Sequence, residues 1–211
     1  MNNPQKEKHI PSDDGPPFPR FRETAIPVNL VAELLDSPRD TMAWYPPSLR
    51  WIVVRSEAGK QHLESATSLG VHLSSAPVVL ICLADTAAWK SAPTHLRQLI
   101  ADRKITDEKG REVLSRLRAY YSASPDTARR TALANAFIAA HQVLAGAARA
   151  GVTGCLVTAF DEVQIKTHFH VPDQFQVAAL VPLGYGEGAP TAGSWQVSRA
   201  TIYEEKFGET V

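Results

Sequence analysis

The chain has 211 residues, of which 44% are hydrophobic and 21% charged, and its 22 basic residues balance 22 acidic ones. This length allows one domain with a sizeable core, and the composition is ordinary for a globular protein. A net charge near zero gives no electrostatic footprint for nucleic acid or an anionic membrane surface, so we expect neither as a partner.

Residues 1–19 contain five prolines and few apolar side chains, which predicts a flexible N-terminal arm. They include no apolar stretch of the kind that marks a secretory signal, so we expect a cytoplasmic protein. We expect residues 20–211 to form a single domain.

The first predicted helix begins at Pro27, where PVNLVAELLDS has proline in its first turn and leucines on one face. A proline-rich loop (37–50) leads into a short strand, WIVVRS (51–56). The sequence EAGKQHLESATSLG (57–70) predicts a helix that ends at its final glycine. The unbroken apolar run PVVLICLAD (77–85) is typical of a strand that is covered on both faces.

Residues 88–123 look helical and more polar, so we expect an excursion or lid outside the core. Ser124, Pro125 and Asp126 then supply a capping hydroxyl, a proline at the first position and an acid in the first turn of a helix. This alanine-rich helix runs to Gly151, a suitable left-handed C-cap.

The alanine-rich segment 131–150 approaches the roughly 20 residues needed to cross a bilayer. It carries Asn135, His141, Gln142 and Arg149, so we expect a buried helix of a soluble protein instead. A helix that is apolar nearly all round is typically buried on every side. In a chain of this size a second copy would provide that burial, which predicts an obligate homodimer; a tightly packed monomer is the alternative.

The remaining predicted elements are a strand, TGCLVTAF (153–160), a short helix from Asp161, a strand, QVAALVPLGYG (176–186), and a last strand near VSRATIY (197–203). About four strands and five or six helices in mixed order indicate an α+β fold.

Two cysteines, Cys82 and Cys155, lie in apolar runs and are interpreted as buried hydrophobes, with a disulfide or a reactive thiol as the alternative. His168 and His170 have no third ligand nearby, so we expect no metal site. The sequence has no G-x-G-x-x-G, Walker, G-x-S-x-G or C-x-x-C motif, which leaves Rossmann, P-loop, hydrolase and thioredoxin functions without support.

The order of these elements resembles the FMN-dependent nitroreductases, particularly the oxygen-insensitive bacterial type. The strongest match runs from Arg130 to Gly184, where RTALANAFIAAHQVLAGAARAGVTGCLVTAFDEVQI is similar to the family's dimer helix, glycine turn, strand and next helix. The closing QVAALVPLGYGEG resembles its final hydrophobic strand. RFRETAIPVNLVAELLDSP (20–38) and WYPPSLRWIVV (44–54) match its first helix and its flavin loop.

This resemblance implies a three-layer α/β/α sandwich with a mixed, mainly antiparallel sheet, which dimerises through the long helix and holds FMN at the dimer interface. NAD(P)H would deliver hydride to flavin N5, and small electron-poor substrates such as nitroaromatics and quinones would receive it in ping-pong fashion. The cofactor carries this chemistry, so no side chain is nominated as catalytic. The alternatives are a non-catalytic flavin-binding or flavin-free member of the fold, and a flavoenzyme with other chemistry, such as ene reduction or reductive dehalogenation.

The resemblance also implies which residues hold the ring. It places the backbone amides of Thr158 and Ala159 against flavin N5 and O4, where small residues permit close approach. The alternative is an ordinary strand-to-helix turn capped by Asp161.

The family's phosphate grip begins with an Arg-x-Ser-like run, which here falls on residues 15–17, Gly-Pro-Pro. Arg20 and Arg22, on either side of Phe21, are the expected substitutes, because a planar guanidinium suits a phosphate dianion. Arg199 is the corresponding candidate in the tail. The alternative for each arginine is an exposed, solvated charge.

In the flavin loop the family has polar side chains along the ring edge, and this chain offers Pro47, Ser48 and Arg50. An arginine near N1 and O2 would stabilise the anionic reduced ring. Arg50 is alternatively structural.

Overall fold

A four-stranded sheet lies at the centre of the described structure, a computed structural model that covers residues 19–36, 48–67, 73–122 and 124–186. Its strands run in the spatial order β1-β2-β4-β3, and all three pairings are antiparallel. The strands are β1 (Leu49–Val54), β2 (Val78–Asp85), β3 (Thr153–Gly154) and β4 (Phe175–Gly184).

Six α-helices accompany the sheet in these ranges. They are α1 (Val28–Asp36), α2 (Glu57–Ser65), α3 (Ala92–Ala101), α4 (Asp107–Ser122), α5 (Pro125–Arg149) and α6 (Glu162–His168). Two single-turn 3₁₀ helices span Leu73–Ser75 and Ala88–Ser91.

The sheet separates two helical layers, because alternate residues of a strand face opposite sides. Val78, Leu80 and Cys82 of β2 join a core cluster with α1 and α5. Val79 and Ile81 join a second cluster with α2 and α6. β2 is buried along its whole length, as its apolar run predicts. The α+β class, the three layers and the antiparallel character of the sheet are thereby confirmed.

Helix α5 begins and ends where the sequence predicts. The Ser124 hydroxyl accepts a hydrogen bond from the Asp126 amide at 3.2 Å. Gly151 has a φ of +72°, the left-handed conformation that glycine adopts most easily. Between these caps α5 contacts all four strands through a buried stripe of small side chains. The stripe consists of Ala132, Ala136, Ala139, Ala140, Val143 and Ala147.

By length and composition α5 is the one helix in the described ranges that could cross a membrane. Its stripe packs on the sheet, so one face of it belongs to the core. The opposite face has no cover within the described residues, where Phe137 and Ile138 are 39% and 52% exposed. The described part of one chain therefore buries only one side of the helix.

Residues 88–122 are largely helical and add no strand to the sheet. Helix α3 packs on α4, where Gly110 leaves room for the Ile100 side chain: a Cβ on this glycine would lie 2.7 Å from Ile100 Cδ1. Helix α4 in turn contacts α5.

Two predicted elements are shorter than expected. The strand predicted over 153–160 pairs with β4 only at β3 and again at Val157, because the chain then leaves β4 for the end of α2, where Phe160 bridges Thr67. Helix α2 ends at Ser65 rather than at residue 70, because Thr67 takes part in that bridge. The strand predicted near residues 197–203 lies outside the described residues.

Candidate functional site

The segment between β3 and α6 crosses from the sheet edge to helix α2. Val157 exchanges two backbone hydrogen bonds of 2.9 Å with Leu180 of β4. At the far side the Asp161 amide donates to the Ala66 carbonyl at 2.8 Å. Thr158 and Ala159 lie between these two anchors, so their backbone is fixed from both ends.

The backbone amides of Thr158 and Ala159 have no acceptor within the described part of the chain. Thr158 is exposed and Ala159 is half-buried, and neither amide donates to a described protein group. The Phe160 amide is free as well, whereas the Asp161 amide is bonded and the Asp161 carboxylate accepts from the amides of Val163 and Gln164. Two adjacent free donors on an anchored backbone suit the polar edge of a bound ring.

The pair Arg20 and Arg22 is held at the end of β4 by the residue between them. The Phe21 ring is 7% exposed and packs against Gly184, where an added Cβ would lie 2.5 Å from the ring. The Arg22 amide donates to the Tyr185 carbonyl at 2.8 Å. Because the Phe21 ring lies in the core, it positions the arginines instead of offering its own face to a ligand.

Both arginines are available to bind an anion. Their side chains are exposed, and neither guanidinium forms an ion pair or a hydrogen bond with the rest of the described chain. Leu180 is the partner of Val157, and Tyr185, just beyond the end of β4, lies five residues farther along the chain, about 17 Å away at 3.4 Å per residue. A ligand that reaches both the amides and the arginines must therefore be elongated, with its anionic group at one end.

Ser48 and Arg50 lie at the other edge of the sheet. β1 and β3 are the outer strands, so this pair is separated from Thr158 by three strand spacings, about 14 Å. The Ser48 side chain is 4% exposed and its hydroxyl lies 3.5 Å from the Asn135 amide nitrogen. Arg50 is exposed and donates to the Leu49 carbonyl. One chain thus does not bring these residues beside Thr158 and Ala159.

Two further predicted contacts, Pro47 and Arg199, lie outside the described residues, as does the Gly-Pro-Pro run at 15–17.

Asn135 is a buried polar residue that sequence reasoning did not assign to a site. It lies 7% exposed on α5 beside Ser48, and Ser48 lines a small cavity of about 10 Å³ together with Asp85 and Tyr121. This volume accommodates about one water molecule. The sequence signal for this buried contact was an asparagine within an alanine-rich helix, because a buried side-chain amide requires hydrogen-bond partners.

The histidines near α6 do not form a cluster of metal ligands. His168 ends α6, and its ring stacks on His62 of α2 with centroids 3.7 Å apart. His170 adopts a φ of +52° in the following turn. Across the described ranges no three His, Cys, Asp or Glu side chains come together as a metal site.

Both cysteines behave as apolar side chains, as predicted. Neither forms a disulfide. Burial raises the pKa of the Cys82 thiol to about 12 and that of Cys155 to about 11. Both thiols are therefore protonated at neutral pH, which disfavours the reactive-thiol alternative.

Comparisons with known proteins agree with this architecture. A curated relative, an NADH dehydrogenase of Thermus thermophilus, is 27% identical over 175 residues, which are 82% of this chain and 84% of the relative. A nitroreductase-like protein of Streptococcus mutans superposes with a TM-score of 0.77 at 18% identity, over 89% of this chain and 92% of that one. A protein of Exiguobacterium sibiricum, solved in complex with FMN, gives a TM-score of 0.75 at 17% identity, over 90% and 92%. The family model described as the nitroreductase family matches residues 20–185, and the chain therefore belongs to the nitroreductase family.

Proposed function

We propose that this protein is an FMN-dependent oxidoreductase that uses NAD(P)H to reduce small electron-poor molecules of the nitroaromatic and quinone class. The observation that carries the proposal is the pair of free amides at Thr158 and Ala159 on an anchored backbone. Family membership and the FMN complex of a structural neighbour support it. Bound FMN would supply hydride transfer at N5, with NAD(P)H and the substrate reacting in turn.

The donor set of the chain fits FMN, which has a ring with polar edge atoms at one end and a phosphate at the other. The amides of Thr158 and Ala159 would donate to the ring edge and hold it without reorganisation during reduction. Arg20 and Arg22 would bind the phosphate as charge-assisted donors. Phe21 would fix the spacing of the two sets by packing on Gly184.

The proposed assembly is a homodimer through α5. Phe137 and Ile138 form an exposed apolar patch on this helix. The Gln142 side-chain oxygen, on the same helix, is buried without a hydrogen-bond partner among the described residues. A second copy would cover the patch. It would also allow Arg50 of one protomer to serve the ligand held by Thr158 of the other, which the sheet geometry prevents within one chain.

Three further predictions form part of this proposal. Residues 20–211 form one domain, residues 88–123 act as a lid over the substrate side of the flavin, and the protein is cytoplasmic. The two helices of this segment, α3 and α4, add no strand to the sheet, which suits that role.

Steady-state kinetics test the proposal. We expect parallel double-reciprocal plots with NADH or NADPH and a nitroaromatic acceptor, as ping-pong transfer requires. Ala159→Pro removes one proposed donor and should lower kcat/KM about 100-fold. Thr158→Val keeps both amides and should retain activity within a few-fold. Equal losses in the two variants would place the effect in the side chain or the fold instead of the backbone donors.

One observation favours a second candidate, a non-catalytic member of the fold. The Ser48 hydroxyl, predicted to address the ring edge, is buried beside Asn135. A protein that binds FMN but leaves it oxidised in excess NADH and NADPH would support this candidate and contradict the enzyme proposal.

A further inference from the structure

A groove on the helical excursion has a chemical character that the proposed flavin site does not use. It lies between the turn Ala88–Ser91 with the start of α3 on one side and α4 on the other, and it encloses about 190 Å³. Its lining residues are Trp89, Lys90, Pro93, Leu114, Leu117 and Arg118.

The floor of the groove is apolar and rigid. The Trp89 ring stacks on the ring of Tyr121, with centroids 5.7 Å apart and an interplanar angle of 9°. Tyr121 is itself buried, so it holds the indole in a fixed orientation. Leu114 and Leu117 of α4 are half-buried opposite it. A preformed aromatic wall loses little freedom when a flat ring packs on it.

The rim of the groove is positively charged. Lys90 and Arg118 are exposed, their side chains pair with no group in the described ranges, and the lining includes no acid. By contrast, Lys109 and Arg116 of α4 both pair with Glu112, at 2.9 Å and 2.7 Å. Two cations without counter-ions beside an apolar floor attract an anion that also carries an apolar body.

We propose that this groove binds a small aromatic carboxylate, with its ring against Trp89 and its carboxylate between Lys90 and Arg118. The size agrees, because a cavity of about 150 Å³ accommodates benzene, and 190 Å³ adds room for a short acidic chain. A carboxylate between two cationic donors forms the stronger, charge-assisted class of hydrogen bond. This site does not depend on the proposed flavin chemistry.

Isothermal titration calorimetry of the full chain, in excess FMN to fill the proposed flavin site, tests the proposal with two matched probes. The probes are 3-phenylpropionate and its neutral amide, 3-phenylpropionamide. We expect the carboxylate to bind at least about 10-fold more tightly than the amide, since hydrogen bonds to charged groups are the more stabilising class. The double variant Lys90→Gln/Arg118→Gln should remove that preference. Both side chains are exposed, so the fold should be unchanged by circular dichroism.

Arg116→Gln is the control, because Arg116 lies on the same helix but pairs with Glu112 outside the groove. It should bind the carboxylate as the unmodified protein does. Equal binding of the two probes, carboxylate binding that survives the double variant, or no measurable heat with the carboxylate would each overturn the proposal.

Discussion

The two faces of helix α5 are both apolar in sequence but differ in the structure. The inward face has small side chains, and Ala136 and Ala140 are fully buried against the sheet. This close approach lets the Cys82 thiol lie 3.5 Å from the Ala136 carbonyl oxygen, to which it donates. The outward face carries the larger Phe137 and Ile138, which this chain leaves partly exposed. The fully buried stripe thus consists mainly of alanine, whereas two large apolar side chains lie on the face proposed to meet a second copy.

The largest expected effect comes from placing charge on the outward face. Phe137→Glu/Ile138→Glu should dissociate the proposed dimer, because an unpaired charge buried in an interface costs about 3–5 kcal/mol. Light scattering after gel filtration should give half the mass of the unmodified protein, with the fold retained. Val163→Glu, at a 74% exposed position on α6, is the control and should leave the mass unchanged. An unmodified protein that is already monomeric would contradict the role given to this face.

Enlarging a side chain on the inward face should damage the fold itself. Ala140→Leu forces extra methyl groups into a site with 0% exposure, and overpacking of this kind costs about 1–3 kcal/mol. Urea unfolding should show a lower midpoint. Ala119→Leu on the exposed side of α4 should change stability by less than about 0.5 kcal/mol. If the two variants unfold alike, the inward face is not closely packed.

Gln142 tests whether the outward face of α5 contacts a second copy. Its side-chain oxygen is buried within the protomer and has no partner among the described residues, so we expect the side chain to turn outward in the dimer and accept a hydrogen bond from the second copy. Gln142→Leu should then weaken the dimer by about 1 kcal/mol, the net value of a typical hydrogen bond. In the Phe137→Glu/Ile138→Glu background the same change should be neutral or stabilising. A loss of equal size in both backgrounds would show that the oxygen is satisfied within the protomer.

The smallest effect concerns the thiol beneath the inward face. Because burial raises the pKa of Cys82 to about 12, its thiolate fraction at pH 8 is about one in ten thousand, far below that of a free cysteine. A disulfide reagent at pH 8 should leave Cys82 unmodified in the native protein and modify it in urea. Ala140→Leu should increase its native reactivity. Rapid modification of Cys82 in the unaltered protein would contradict the close packing of α5.

Local sequence signals predicted the helices and the buried strands well. Ser124 and Gly151 fixed the ends of α5, and the unbroken apolar run predicted that β2 is covered on both faces, because caps and hydrophobic periodicity act over a few residues. The strand over 153–160 was predicted too long. The strand ends early because Phe160 pairs with Thr67 instead of with β4. Thr67 lies just after α2, about ninety residues earlier in the chain, so local sequence patterns do not indicate this contact.

The candidate site was less predictable, because it depends on distant contacts. Ser48 is buried because Asn135, 87 residues away, lies over it. The Phe21 ring is buried in the core because Gly184, which has no side chain, leaves room for it. The roles of Thr158 and Ala159 rest on backbone amides, which carry no side-chain signature and which only the family resemblance pointed to.

The visible absorption spectrum of the purified full chain, recorded after loading with excess FMN and washing, tests the central claim most directly. A retained flavin spectrum that is lost or strongly reduced in Arg20→Gln/Arg22→Gln is the predicted result, because each charge-assisted phosphate contact is worth about 1.5–3 kcal/mol. A colourless protein that does not take up FMN would contradict the proposed function and leave only the fold.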